Sequence, residues 1–256
     1  MKNPIVKSAI GLIILLAAQM GTTSAAEVKA LVTLGMQSVM EELGPRFERV
    51  SGDKLNMTFG LGPVLAKRIA GGEDADFLIL PRDSVDGLVR SGRVASGSDT
   101  VLARNFVAVA VRKGEPKPDI STPDAIRRTL LAAKAVSYGN PADGGLAGVH
   151  FAKVLERLDI ADAMRAKTRF PPAGGLAGKL LVDGEVDIAV QQLSELMSVS
   201  GTEVVGPLPG DLANVTVYMA AIPISTKAPD AAKALASFLR SREAQMVMKA
   251  KGAEPE

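Results

Sequence analysis

After an apolar leader, short apolar runs and amphipathic stretches take turns along the whole chain, and that rhythm limits the possible folds more than any other feature. Residues 28–34 read VKALVTL and 75–81 read ADFLILP, both strand-like, with MQSVMEELGPRFERV, LNMTFG and PVLAKRIAGG between them. In the first amphipathic stretch Val39, Leu43 and Phe47 recur every fourth residue, which lines one face of a helix. The rhythm resumes with strand FVAVAVRKG, a proline-bearing loop in which Ser121 and Thr122 can cap helix AIRRTLLAA, strand KAVSYG, helix LAGVHFAKVLERL, strand KTRF, helix LAGKLLVDG and strand VDIAVQQ. NVTVYMAAIPI follows, and DAAKALASFLRSREAQMVMKA reads as one last helix. Alternation of this kind predicts an α/β fold, a largely parallel sheet covered by helices.

One unit occurs twice. GLGPVLAKRIAGGEDADFLIL, from Gly60, and GGLAGKLLVDGEVDIAVQQ, from Gly174, each run from a glycine-rich loop through a helix and a Gly-Glu turn to an Asp entering a buried strand. The echo is read either as two similar lobes or as chance recurrence of a common α/β unit.

Residues 1–26 combine a cationic start, an apolar run shorter than the roughly 20 residues that span a bilayer, and small residues for cleavage. This is a signal peptide pattern, with the cut expected beside Ala25 or Ala26 and a periplasmic destination for the mature chain. The alternative is a retained anchor. Of 30 basic residues, Lys2 and Lys7 lie in the leader, so the remainder balances the 28 acidic ones. A neutral chain lacks the surplus of Lys and Arg that phosphate backbones and anionic membranes attract, so no nucleic-acid partner is expected. With no Cys and one His, neither thiol chemistry nor an ordinary zinc site is available, and neither metal nor cofactor is expected.

Four loops place a glycine or another small residue directly before a helix: Leu34-Gly35-Met36, Gly60-Leu61-Gly62, Gly144-Gly145-Leu146-Ala147 and Gly174-Gly175-Leu176. N–H groups at helix starts lack intrahelical partners and sit at the positive end of the helix dipole, so they receive anions. Such loops are also ordinary turns. If they are more, their place at the carboxyl ends of strands sets them around one cleft.

Enzyme motifs are weak. GGLAGK fails as a phosphate loop because residue 173 is Ala and Leu180 stands where a magnesium-binding hydroxyl belongs. GLGPVL lacks the third glycine of a dinucleotide fingerprint. His150 lies on a helix flank and reads as structural, and the carboxylates at 73–76 and 183–187 read as solvated turns and helix-strand junctions. Tyr138 is the one proton carrier expected near the glycine loops.

VSYGNPADGGLAGVHFAKVLERLDI, with VDIAVQQLSEL and VVGPLPGDL, resembles the periplasmic molybdate-binding-protein-like family of extracellular solute-binding proteins. The resemblance runs from Glu27 to about Gly252. It implies the type II periplasmic-binding fold: two α/β lobes with mixed sheets and helices on both faces. Lobe 1 would hold residues 27–104 with 223–256, and lobe 2 residues 105–222, including the crossing strands at Asn105 to Val111 and Val215 to Ile222. It also implies a monomer that holds an oxyanion between its lobes and delivers it to the membrane permease of an ABC importer. A branch of the family resembles periplasmic aconitate isomerase, so an isomerase acting on a tricarboxylate is the alternative function, with Tyr138 its only proton carrier.

Carried onto this sequence, the ligand-holding positions are Thr33, Gly35, Met36, Leu61, Gly62, Gly145, Leu146, Ala147, Gly175, Leu176, Gln191 and Gln192. The chain departs from the family where hydroxyls are usual: Leu34-Gly35-Met36 follows the first strand, Pro63 offers no N–H, and Gln192 stands near the position of a ligand-facing tyrosine. Fewer donors remain for a compact tetrahedral dianion. Amides and Arg82, which is read either as a two-pronged carboxylate partner or as a surface residue, suit a carboxylate-bearing ligand better.

Overall fold

The computed structural model describes residues 25–256, so all but the last two residues of the expected signal peptide lie outside the described part. The chain begins with β1 (Glu27–Thr33), α1 (Gln37–Ser51), β2 (Lys54–Gly60), α2 (Gly62–Ala70), β3 (Phe77–Pro81), α3 (Arg82–Arg90) and the long strand β4 (Thr100–Arg112). It continues with α4 (Pro123–Ala132), β5 (Val136–Tyr138), α5 (Leu146–Arg157), α6 (Ala161–Arg165), β6 (Thr168–Arg169), α7 (Ala177–Val182), β7 (Ile188–Gln192), α8 (Leu193–Met197) and β8 (Thr202–Pro207). It closes with β9 (Val215–Ala221), α9 (Pro229–Leu239), α10 (Arg242–Ala250) and β10 (Glu254–Pro255).

The strands follow the order β2-β1-β3-β9-β4-β7-β5-β6, with β8 and β10 also on β4. β1 pairs in parallel with β2 and β3, and β5 in parallel with β6 and β7, so each end of the order is a parallel unit. β4 links them. Its first half, Thr100 to Phe106, pairs with β9, while Val107 to Ala110 pairs with β7.

Residue alternation explains why both faces of each sheet carry helices. All five residues of β3 are buried: Phe77 and Ile79 pack with Phe47 of α1 and Leu235 of α9, and Leu78 and Leu80 pack with Leu65 of α2 and Val85 of α3. In the second lobe Val107 and Val109 meet Phe151 and Ile126, whereas Ala108 and Ala110 meet Leu181 and Leu196. Each of the Val, Leu, Ile and Phe side chains among them contributes about 1.5–3 kcal/mol relative to leaving it in water. The two echoed segments fold alike, as α2-β3 and α7-β7.

Local chemistry revises three expectations. The last helix is two, because Ser241 turns its hydroxyl onto the Ala244 N–H and starts α10 afresh. The KTRF strand shrinks to Thr168–Arg169, an edge strand beside the short β5. The segments α3, α8 and β8, which no periodic run announced, are regular.

Candidate functional site

The carboxyl ends of β1, β2, β5 and β7 converge on a cleft of about 60 Å³. That is room for roughly four to six water-sized groups at about 10–15 Å³ each. The four glycine turns meet here: Thr33 and Gly35 follow β1, Leu61 and Gly62 follow β2, Gly145, Leu146 and Ala147 open α5, and Gly175 precedes α7. The lobes touch across it. A Cβ placed on Gly145 would lie 3.2 Å from Leu61 Cδ2, and one on Gly174 3.6 Å from Leu34 Cδ1.

Helix starts in this chain are finished in different ways. Thr122 and Ser241 cap α4 and α10 with side-chain oxygens. Neither Leu61 at α2 nor Gly145 at α5 supplies a side-chain cap, so the first-turn N–H groups of both helices remain open toward the cleft. Both turns were visible in the sequence because glycine before a helix removes the capping side chain as well as the Cβ.

The glutamines at the end of β7 divide their work. Gln191 accepts from Ala177 N at 2.8 Å and donates to Gly175 O at 3.2 Å, so its amide holds the glycine turn before α7. Gln192 donates from Nε2 to Thr216 Oγ1 at 2.8 Å, and its Oε1 is buried without a partner among the described residues.

Other residues singled out from sequence lie elsewhere. Met36 is fully buried in the lobe-1 core, because the turn after β1 directs its side chain beneath α1. Leu176 is the half-buried N-cap of α7, outside the cleft wall. Arg82 is the exposed first residue of α3 and faces a separate depression with Asp83, His150 and Lys153. Tyr138 is not in the cleft either: it packs edge-on against Phe151 and Phe170, at centroid distances of 4.9 and 5.2 Å, in the lobe-2 core. His150 Nε2 lies 2.8 Å from Leu212 O, a structural contact.

Two chemically active residues that sequence reasoning passed over stand in the cleft wall, Glu195 of α8 and Tyr218 of β9. Glu195 is 8% exposed, and burial pushes its carboxyl up to about 7, offset only by the hydrogen bond from Gln192 N to Oε2 at 3.2 Å. Burial, and then the nearby Glu195, hold the Tyr218 hydroxyl well above the usual tyrosine range. Among the described residues that line the cleft there is no Lys, Arg or His, and the other charged one is Asp143. Tyr218 was hidden in a strand whose neighbours are nearly all apolar. Glu195 did leave a signal, since Gln192-x-x-Glu195 is the spacing of a capping box.

A buried polar chain ties the cleft to the strand that joins the lobes. Asn105 Nδ2 of β4 donates to Ser194 Oγ at 2.6 Å, and Ser194 Oγ donates to Gly35 O at 2.7 Å. Gathered groups of His, Cys, Asp and Glu that could hold a metal are absent among the described residues.

A two-lobed α/β molecule with a cleft at the carboxyl ends of its parallel strands has the type II periplasmic-binding fold. The chain belongs to the bacterial extracellular solute-binding protein family, whose profile matches residues 28–254. It is 35% identical over 247 residues to an aconitate isomerase from a Pseudomonas species, covering 94% of this chain and 91% of that one. It is 26% identical over 237 residues to the molybdate-binding protein ModA of Azotobacter vinelandii, covering 89% and 90%. The solved Azotobacter vinelandii periplasmic molybdate-binding protein superposes with a TM-score of 0.70 at 19% identity, over 88% of this chain and 98% of that one.

Proposed function

We propose that this protein captures a small anion in the periplasm by closing its two lobes over it, and presents the closed form to the permease of an ABC importer. The observation that carries this reading is the convergence of uncapped helix starts on one small cleft. In it, the N–H groups of Gly35, Gly62, Leu146 and Ala147 take the anion's oxygens, Thr33 and Tyr218 add hydroxyls, and Gln192 closes the far wall. Lobe 1 takes residues 27–104 with 223–256 and lobe 2 residues 105–222, with the hinge in the middle of β4 and the approach to β9. A cleft without a cationic side chain favours one or two negative charges over three, and about 60 Å³ favours a compact guest. A melting-temperature panel of phosphate, sulfate, molybdate, lactate, propionate, citrate and both aconitate isomers tests it, because a ligand that binds only the folded chain raises its melting temperature. A flat panel sinks the reading.

Glu195 and the 35% identity to an aconitate isomerase favour one second reading, catalysis on the bound anion. With its pKa near neutrality, the carboxylate can take a proton from the carbon beside a substrate carboxylate and return it at the far end of the shifted double bond, leaving no net proton change. Proton NMR of cis-aconitate incubated with the protein would show trans signals, and Glu195→Gln would abolish them. If no trans signal appears with the wild-type protein, the catalytic reading goes.

A further inference from the structure

The wall of the cleft mixes donors with an acceptor that a simple anion trap would avoid. Glu195 stands in the wall with Gln192 N supplying the one hydrogen bond its carboxyl receives, and Tyr218, itself 2% exposed, lines the same wall. The groups around it offer no compensating cation. Of the elements packed on α8, β4 carries Arg104 and Arg112, which turn to Glu256 and Glu115. β8 carries Glu203, which pairs with Lys117, and Lys179 on α7 is exposed. β9 contributes Tyr218, and the loop before α5 contributes Asp143.

Resting on the anion-capture reading, we propose that Glu195 sets the specificity of the cleft: it admits an anion that carries its own O–H, which hydrogen-bonds to the Glu195 carboxylate, and turns away anions that have none. An anion without a hydrogen to share would set two like charges together in a dry site, which is costly. An anion with a hydroxyl turns that repulsion into a charge-assisted hydrogen bond. The chemistry is shared by hydroxycarboxylates and by hydrogen phosphate. Because burial brings the Glu195 carboxyl to about 7, the discrimination belongs to alkaline pH; at lower pH the protonated carboxyl donates to either kind of anion.

Isothermal titration of the full mature chain with two matched pairs, phosphate against sulfate and lactate against propionate, tests this at pH 8 and pH 5.5. At pH 8 the hydroxyl-bearing member of at least one pair binds about ten- to a hundredfold tighter than its partner. Preference within the phosphate pair or within the lactate pair tells which source the site serves. At pH 5.5 the preference shrinks, and Glu195→Gln, whose amide oxygen still accepts from Gln192 N, removes the pH dependence within the lactate pair, whose members are mainly monoanions at both pH values. Equal binding within both pairs at pH 8, or an unchanged preference in Glu195→Gln, overturns the proposal while leaving anion capture intact. No binding by any of the four at either pH overturns this proposal, and a flat melting-temperature panel overturns anion capture with it. Should Glu195→Gln fail to give a folded chain by circular dichroism, the wild-type comparison between the two pH values decides alone.

Discussion

A Cβ added to Gly35 would lie 2.0 Å from the hydroxyl oxygen of Tyr218, so the turn after β1 and the middle of β9 meet inside the cleft with no space for a side chain between them. The contact fixes where Tyr218 sits. Gly35→Ala must push the ring toward the space an anion would fill, which predicts about tenfold weaker binding of whichever anion raises the melting temperature, together with a loss of about 1–3 kcal/mol in stability. Titration calorimetry and urea unfolding of the same variant separate the two effects. Wild-type affinity would show that Tyr218 does not border the ligand.

Glu195 carries a pH signature in stability. Its pKa rises from 4.5 to about 7 on folding, so the folded chain holds this proton more tightly than the unfolded one. That contribution is fully present below about 4.5 and is lost as pH rises through about 7, roughly 3 kcal/mol in all at 1.36 kcal/mol per unit. Urea unfolding at pH 5 and pH 8 should therefore show Glu195→Gln gaining on the wild type as pH rises. A constant difference between the two proteins would mean that the carboxyl is not desolvated.

Asp76 works in the opposite sense. Burial alone would raise its pKa, but hydrogen bonds from Lys29 N at 2.9 Å, Lys227 N at 2.7 Å and Thr226 Oγ1 at 3.0 Å outweigh burial and lower it. It fastens the segment after β9 to β1, and its stabilisation is lost as pH falls through its lowered pKa. Asp76→Ala should cost about 2–4 kcal/mol by leaving two backbone N–H groups unpaired, measured by urea unfolding at pH 7. A cost below 1 kcal/mol would show that water replaces the carboxylate.

Gly148 makes a harder contact than Gly35. A Cβ there would meet the Gly139 carbonyl oxygen at 2.0 Å, backbone against backbone, with no rotamer to relieve it. Gly148→Ala should then displace α5 from β5 and lower stability by about 3 kcal/mol or more, with anion binding lost in parallel. Thermal unfolding followed by circular dichroism checks it; a melting temperature within a degree or two of wild type would contradict the packing.

The alternating architecture was legible because helices cover both faces of each sheet, which forces β3 and the second half of β4, Phe106 to Val111, to read as continuous apolar runs. The glycine turns were legible for a related reason: a helix that opens on glycine advertises donors without a cap. The rest was masked by context. Tyr218 sits in a strand where every pattern says core, and it is core apart from its hydroxyl. Glu195 has the spacing of a helix cap and makes that contact, and only its burial beside Tyr218 reveals the second property. Arg82 follows a buried strand as a binding residue would, yet the first turn of α3 carries it outward. Tyr138 stands among the loops in sequence but packs between aromatic rings in space.

The sequence contains no Trp and two Tyr, so Tyr138→Phe leaves Tyr218 as the sole strong intrinsic fluorophore, placed in the cleft wall. Titrating that variant at pH 8 with phosphate, lactate and the other small anions should give a saturable change in tyrosine emission, with a midpoint matching the calorimetric affinity. A ligand that raises the melting temperature while leaving Tyr218 emission unchanged at saturation would place the bound anion somewhere else and contradict the interlobe site.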